Sequence, residues 1–217
     1  MSAGIAYRAA VVEVNPSAYM GWDGSAKGAL EIMLKNVATV DRWSAKAAAQ
    51  AAQIIVFPED MVSSYGGGGP NWRSKLTTPA LFAEPLPPPG SPMCLEGDAG
   101  VAAASPWPVA AALACTAKRH KIVIVVGLGI TAPCDRKVEP LTGQLLPCDM
   151  RTKMGQYDGA AAFGPDGTLL GQHLKAHIAY VSTQRGSHPA ASRTLQLSPW
   201  FRCILPALFA CFLRSLL

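Results

Sequence analysis

The chain has 217 residues, 50% of them hydrophobic and only 15% charged, which suffices for one domain with a true core and argues against disorder over most of its length. Its formal charge of +5 comes from scattered basic residues without aromatic interleaving, so a solvated basic surface is expected and a nucleic-acid interface is not. Six cysteines (Cys94, Cys115, Cys134, Cys148, Cys203 and Cys211) lack metal-ligand spacing, which argues against zinc and hints at an oxidising compartment.

Met1 to Tyr7 hold no apolar run of signal-peptide length. Residues 7–14 read as a short buried strand, punctuated by Asn15-Pro16. Residues 25–52 carry apolar side chains at helical spacing (Leu30, Met33, Val37, Val40, Trp43, Ala47, Ala51) in an alanine-rich stretch, which predicts a long amphipathic helix. Gln53-Ile54-Ile55-Val56-Phe57 is a compact β-branched run and reads as a buried strand ending at Pro58-Glu59-Asp60. This strand–helix–strand unit predicts a layered α/β fold.

Residues 61–108, with a glycine run at 66–69 and many prolines, read as a long irregular excursion and a candidate wall of a binding pocket. Residues 109–120 predict a second alanine-rich helix. Residues 121–127 predict another buried strand, closed by a turn at Gly127-Leu128-Gly129. Residues 157–163 and 168–175 flank Gly164-Pro165-Asp166-Gly167, strong hairpin chemistry. Beyond them, residues 183–198 are polar and patternless. Residues 200–217 are apolar, with Arg202, Pro206 and Arg214 interrupting.

Phe57-Pro58-Glu59-Asp60 is the most informative stretch. A carboxylate at the C-terminal end of a buried strand lies at the rim of the sheet, where α/β folds build their sites. Apolar surroundings are expected to desolvate Glu59, raise its pKa and suit it to proton transfer. Taken alone, it reads more simply as a loop carboxylate capping the next element.

The approach Ala51-Ala52-Gln53-Ile54-Ile55-Val56-Phe57-Pro58-Glu59 resembles the first catalytic motif of the nitrilase superfamily of carbon–nitrogen hydrolases. Phe163-Gly164-Pro165-Asp166-Gly167-Thr168-Leu169-Leu170, running on to His173-Leu174-Lys175, resembles the second motif, a hairpin whose return strand delivers a lysine. Ala132-Pro133-Cys134 and Leu146-Pro147-Cys148 are similar to the biotinidase and pantetheinase (vanin) branch. The resemblance covers residues 9–178.

It implies an α-β-β-α four-layer sandwich, incomplete at its C-terminus, with residues 7–182 as the N-terminal part of the hydrolase domain and 183–217 as a divergent tail. It also implies a Glu–Lys–Cys mechanism without metal or organic cofactor. Glu59 would be the general base, Lys175 would stabilise the oxyanion, and a cysteine would form a thioester with the acyl part of a linear amide. A Cys134–Cys148 disulfide is implied as well, two unrelated free thiols being the alternative. The partners implied are a small-molecule amide, such as a biotin amide or pantetheine, and like chains in a homo-oligomer. A secreted or extracellular setting follows from the same resemblance.

The family's third motif is a strand closed by Gly-x-x-x-Cys-aromatic-Asp. Cys211, in Leu208-Phe209-Ala210-Cys211-Phe212, is at a suitable distance from Lys175, but it lacks the leading glycine and has Leu213 in place of the aspartate. Cys203 fits less well. The expectation is therefore a truncated or alternatively spliced member whose sequence departs from the family after Ser182. The uninterrupted apolar run at 207–213 is too short to span a bilayer, so no membrane partner is expected.

Overall fold

The computed structural model describes residues 7–14, 16, 22–63, 81–94, 105–133 and 153–174. Helix α1 (Ala26–Ala49) forms where helix-favouring residues carry apolar side chains three and four apart. Ser25 caps it, its Oγ accepting from the Gly28 amide at 2.9 Å. Asp23 accepts in turn from the amide and hydroxyl of Ser25 at 2.9 and 2.7 Å, and those two bonds hold its carboxyl below the ordinary value. The helix buries Ala29, Met33, Val37, Val40 and Ala47, as its pattern requires. Trp43, expected in the core, stays at the surface with the Lys46 ammonium over its ring. Ala51, expected on the helix, lies beyond its end at φ 57°.

The strands are β1 (Ala9–Val11), β2 (Ile54–Val56), β3 (Ala83–Pro85), β4 (Val123–Pro133), β5 (Met154–Phe163) and β6 (Leu169–Leu174). They form one mixed sheet in the order β1-β2-β4-β5-β6, with β3 also paired to β4. β1, β2 and β4 run parallel, as strand–helix–strand connections require; β5 and β6 return antiparallel through the hairpin. Helix α2 (Pro108–His120) packs against α1, and both contribute to the core with β4 and Phe163 of β5. The result is a mixed α/β fold: one sheet with a pair of packed helices, the kind of unit from which an α-β-β-α sandwich is assembled.

Three expectations need correction. The stretch at 7–14 is not a buried strand: β1 is an edge of the described sheet, paired only on its β2 side, and Val11 is 82% exposed. Gly127-Leu128-Gly129 is not a turn but the interior of β4, which runs on to Pro133. These glycines mark close backbone approach, the other reason for glycine in a strand. The excursion at 61–108 is not irregular throughout, since it contains β3 and a segment laid along the hairpin. The Gly90 amide donates to Leu169 O at 2.7 Å, and the Leu169 and Met93 amides donate to Ser91 O and Gly167 O, each at 3.0 Å.

Cys94 ends that segment and forms a disulfide with Cys115 of α2. Cys134 and Cys148, the pair implied by resemblance, lie outside the described residues. Glu84 of β3 is 7% exposed, and its carboxylate oxygens accept from the Val109 and Ala110 amides at 3.0 and 3.1 Å. Pro108 has no amide proton and Trp107 supplies no capping bond, so a side chain from the sheet satisfies the first free amides of α2. Burial nevertheless raises the Glu84 pKa, opposed by those two bonds. At the other end of α2, Asp41 of α1 accepts from Arg119 at 2.7 Å and contacts His120 Nε2 at 2.8 Å, tying the helices together.

Candidate active site

The site begins where β2 leaves the sheet. The buried Phe57 still donates its amide to Val125 O of β4 at 2.9 Å, and the chain then turns through Pro58, Glu59 and Asp60. Asp60 takes φ 57°, a left-handed conformation that aspartate tolerates better than most residues. Its carboxylate accepts from Ser63 Oγ at 3.2 Å. Met61, Val62 and Ser63 are buried beneath the turn, and the Val62 amide donates to Gly127 O at 3.1 Å.

Gly127 explains how the turn lies so close to β4. A Cβ at that position would stand 2.7 Å from Pro58 O, 2.8 Å from Asp60 N and 2.9 Å from Glu59 Cα, all of them backbone atoms. Any other residue at 127 would push the Glu59 turn off the strand. On the far side of β4, Asp158 of β5 pairs with Gly129, two residues along. Carboxylate oxygens of Glu59, Asp60 and Asp158 lie within 4.8 Å of one another. Such a group could hold a metal ion, although exposed acidic clusters are common without one.

Glu59 is exposed, so the strand's apolar surroundings do not bury it as expected. The apolar residues of the motif, Phe57, Met61 and Val62, are spent on anchoring the turn to the core. Lys175 and Cys211 lie outside the described residues. Leu174, the residue before Lys175, ends β6 paired with Gly159, next to Asp158. Sequence reading missed Asp158. Its signal is a single acidic residue immediately before the small-residue strand Gly159-Ala160-Ala161-Ala162.

The family model for carbon-nitrogen hydrolases matches residues 8–199. The chain belongs to the carbon-nitrogen hydrolases. This hydrolase chain resembles the solved structure of an amidase from Nesterenkonia sp. at 15% identity and a TM-score of 0.39, over 78% of this chain and 42% of that one. It resembles an N-terminal amidase at 12% identity and a TM-score of 0.41, over 78% of this chain and 28% of that one. It therefore spans less than half the length of either amidase, and family membership rests on the sequence match. No curated protein matches the chain. Among the described residues of this hydrolase chain, no helix is long and apolar enough to cross a membrane.

Proposed function

We propose that this chain provides the base and the oxyanion-stabilising lysine of an amidase-type hydrolase acting on linear, non-peptide carbon–nitrogen bonds. The observation that carries the reading is Glu59 on an exposed turn locked onto β4, in a chain that belongs to the carbon-nitrogen hydrolases. Glu59 accepts the proton of the nucleophilic thiol, and the thiolate attacks the amide carbonyl. Lys175, the residue following β6, supports the negative charge on the carbonyl oxygen, where a fixed ammonium contributes most. Collapse breaks the C–N bond, the amine leaves with the proton held by Glu59, and the acyl group remains as a thioester. Glu59 then takes a proton from water, which attacks the thioester; the acid is released and the departing thiolate recovers its proton from Glu59.

Cys211 is the nucleophile in this proposal. The biotinidase and pantetheinase branch, supported by the sequences around Cys134 and Cys148, points to a biotin amide or a pantetheine amide as substrate. The test is hydrolysis of both amides by the purified chain, with mass spectrometry of the acylated protein. An acyl adduct on Cys211, absent in Cys211→Ser, together with a kcat lowered about 10²–10⁴-fold in Glu59→Gln, is the expected result.

A second reading is favoured by the departures around Cys211, above all Leu213 in place of the expected aspartate. On that reading the chain is catalytically inert and acts by associating with a full-length relative. Absence of any acylated cysteine, with co-elution of the chain and such a relative, supports it against the first.

A further inference from the structure

The core face of α1 carries a residue that the core does not need. Asn36 is 0% exposed in the middle of the helix, among Met33, Val37 and Val40. Asparagine is a weak helix former and burying its amide is unfavourable unless the amide is bonded, so a leucine or methionine would serve packing better. Asn36 Nδ2 donates to Val62 O at 3.0 Å, across 26 residues of sequence. The amide of the same Val62 donates to Gly127 O. The backbone of Val62 is thus gripped from both sides, by β4 through its N–H and by α1 through its carbonyl. Three residues upstream stands Glu59, with Asp60 held at positive φ between them.

We propose that Asn36 is a positioning residue for Glu59: it fixes the Pro58–Ser63 turn from the helix side and so sets where the carboxylate stands. The inference rests on Glu59 as the base. Gly127 determines how closely the turn can approach β4, and the Asn36 bond keeps it from sliding along the strand. A carboxylate on a surface turn needs such an anchor, because displacement of a general base by about an ångström lowers its rate contribution by orders of magnitude.

The test compares wild type with Asn36→Leu, which keeps the γ-branched shape and favours the helix, and with Asn36→Asp. Amide hydrogen exchange at Val62 should accelerate about five- to tenfold in Asn36→Leu, as for loss of one hydrogen bond. Exchange at Ile130 and Tyr157, paired in the sheet, should not change. The carbon-13 resonance of the Glu59 carboxyl should shift, while those of Asp23 and Asp166, each held by its own local bonds, stay in place. In Asn36→Asp the introduced carboxyl can donate to Val62 O only when protonated, so Val62 protection should return on acidification. A purely structural asparagine would restore the Val62 protection without restoring the Glu59 resonance.

Hydrolysis supplies the remaining outcomes, with Asn36→Leu expected to lower kcat while leaving KM within about twofold. Unchanged Val62 exchange and an unchanged Glu59 resonance in folded Asn36→Leu overturn the inference, even where Glu59→Gln abolishes hydrolysis and the functional reading stands. Undiminished hydrolysis in Glu59→Gln overturns the functional reading, and the positioning role falls with it.

Discussion

Replacing Gly127 by alanine would set a methyl group 2.7 Å from Pro58 O, 2.8 Å from Asp60 N and 2.9 Å from Glu59 Cα. All three neighbours are backbone atoms, so no side-chain rotation relieves the contact. Either the turn lifts off β4 or the strand bends. Overpacking of this kind destabilises by about 1–3 kcal/mol. Alanine also restricts the unfolded chain, which returns about 0.4–1 kcal/mol. The net expectation is a loss of about 1–2 kcal/mol, or roughly 2–8 °C in Tm for a chain of this size.

Gly171 provides the matched control. It too lies within a strand, β6, but a Cβ there meets nothing within 4 Å, so Gly171→Ala should be neutral or slightly stabilising. Urea unfolding of both variants, followed by circular dichroism, separates the contact from the general effect of losing a strand glycine. If Gly127→Ala unfolds at the same midpoint as Gly171→Ala, the close approach of the Glu59 turn to β4 is wrong. Equal m-values in the two variants are part of the test, since a changed m would signal an altered unfolded or native state.

The Cys94–Cys115 disulfide closes a sequence separation of 21 residues, worth about 3 kcal/mol by loop-closure entropy. Reduction should therefore lower the urea midpoint of wild type by more than that of Cys94→Ser/Cys115→Ser; equal shifts in the two would refute the tie. The folded-state pKa of Glu84 is raised by burial, so its contribution to stability is fully present below the ordinary glutamate value and is lost as pH rises through the raised one. Unfolding titrations from pH 4 to 7 should show wild type losing stability relative to Glu84→Gln over that window, and parallel curves would refute the burial argument. Ser25→Ala should cost about 1 kcal/mol through loss of the α1 cap, measured by thermal melting, with Ser25→Asp retaining most of it.

Much of the fold was legible in the sequence because its elements are locally encoded. The apolar spacing and Ser25 place α1 within a few residues of its observed ends. The β-branched run places β2, and Gly164-Pro165-Asp166-Gly167 places the hairpin, whose turn closes with Gly164 and Gly167 bonded to each other and with Asp166 accepting from Thr168. The side-chain bond from Thr168, reinforced by its amide, lowers the Asp166 pKa, so even the electrostatics of that turn are local. What failed locally was reading Gly127 and Gly129 as a turn. Glycine is permissive in a turn and necessary where two backbones touch, and only the partner backbone tells the cases apart.

For the site, the sequence by itself determined that Glu59 ends a strand and that Lys175 follows a hairpin, because both depend on near neighbours in the chain. Tertiary structure alone decided the surroundings. It brought Asp158 to Glu59 through the β4–β5 register, gave Val62 its bond from Asn36, paired Cys94 with Cys115, and sent Glu84 to the start of α2. Each of these joins residues far apart in sequence and unconstrained by any periodicity between them. The exposure of Glu59 belongs to the same class: Phe57, Met61 and Val62 nearby are apolar, but they turn inward to anchor the loop and leave the carboxylate at the surface.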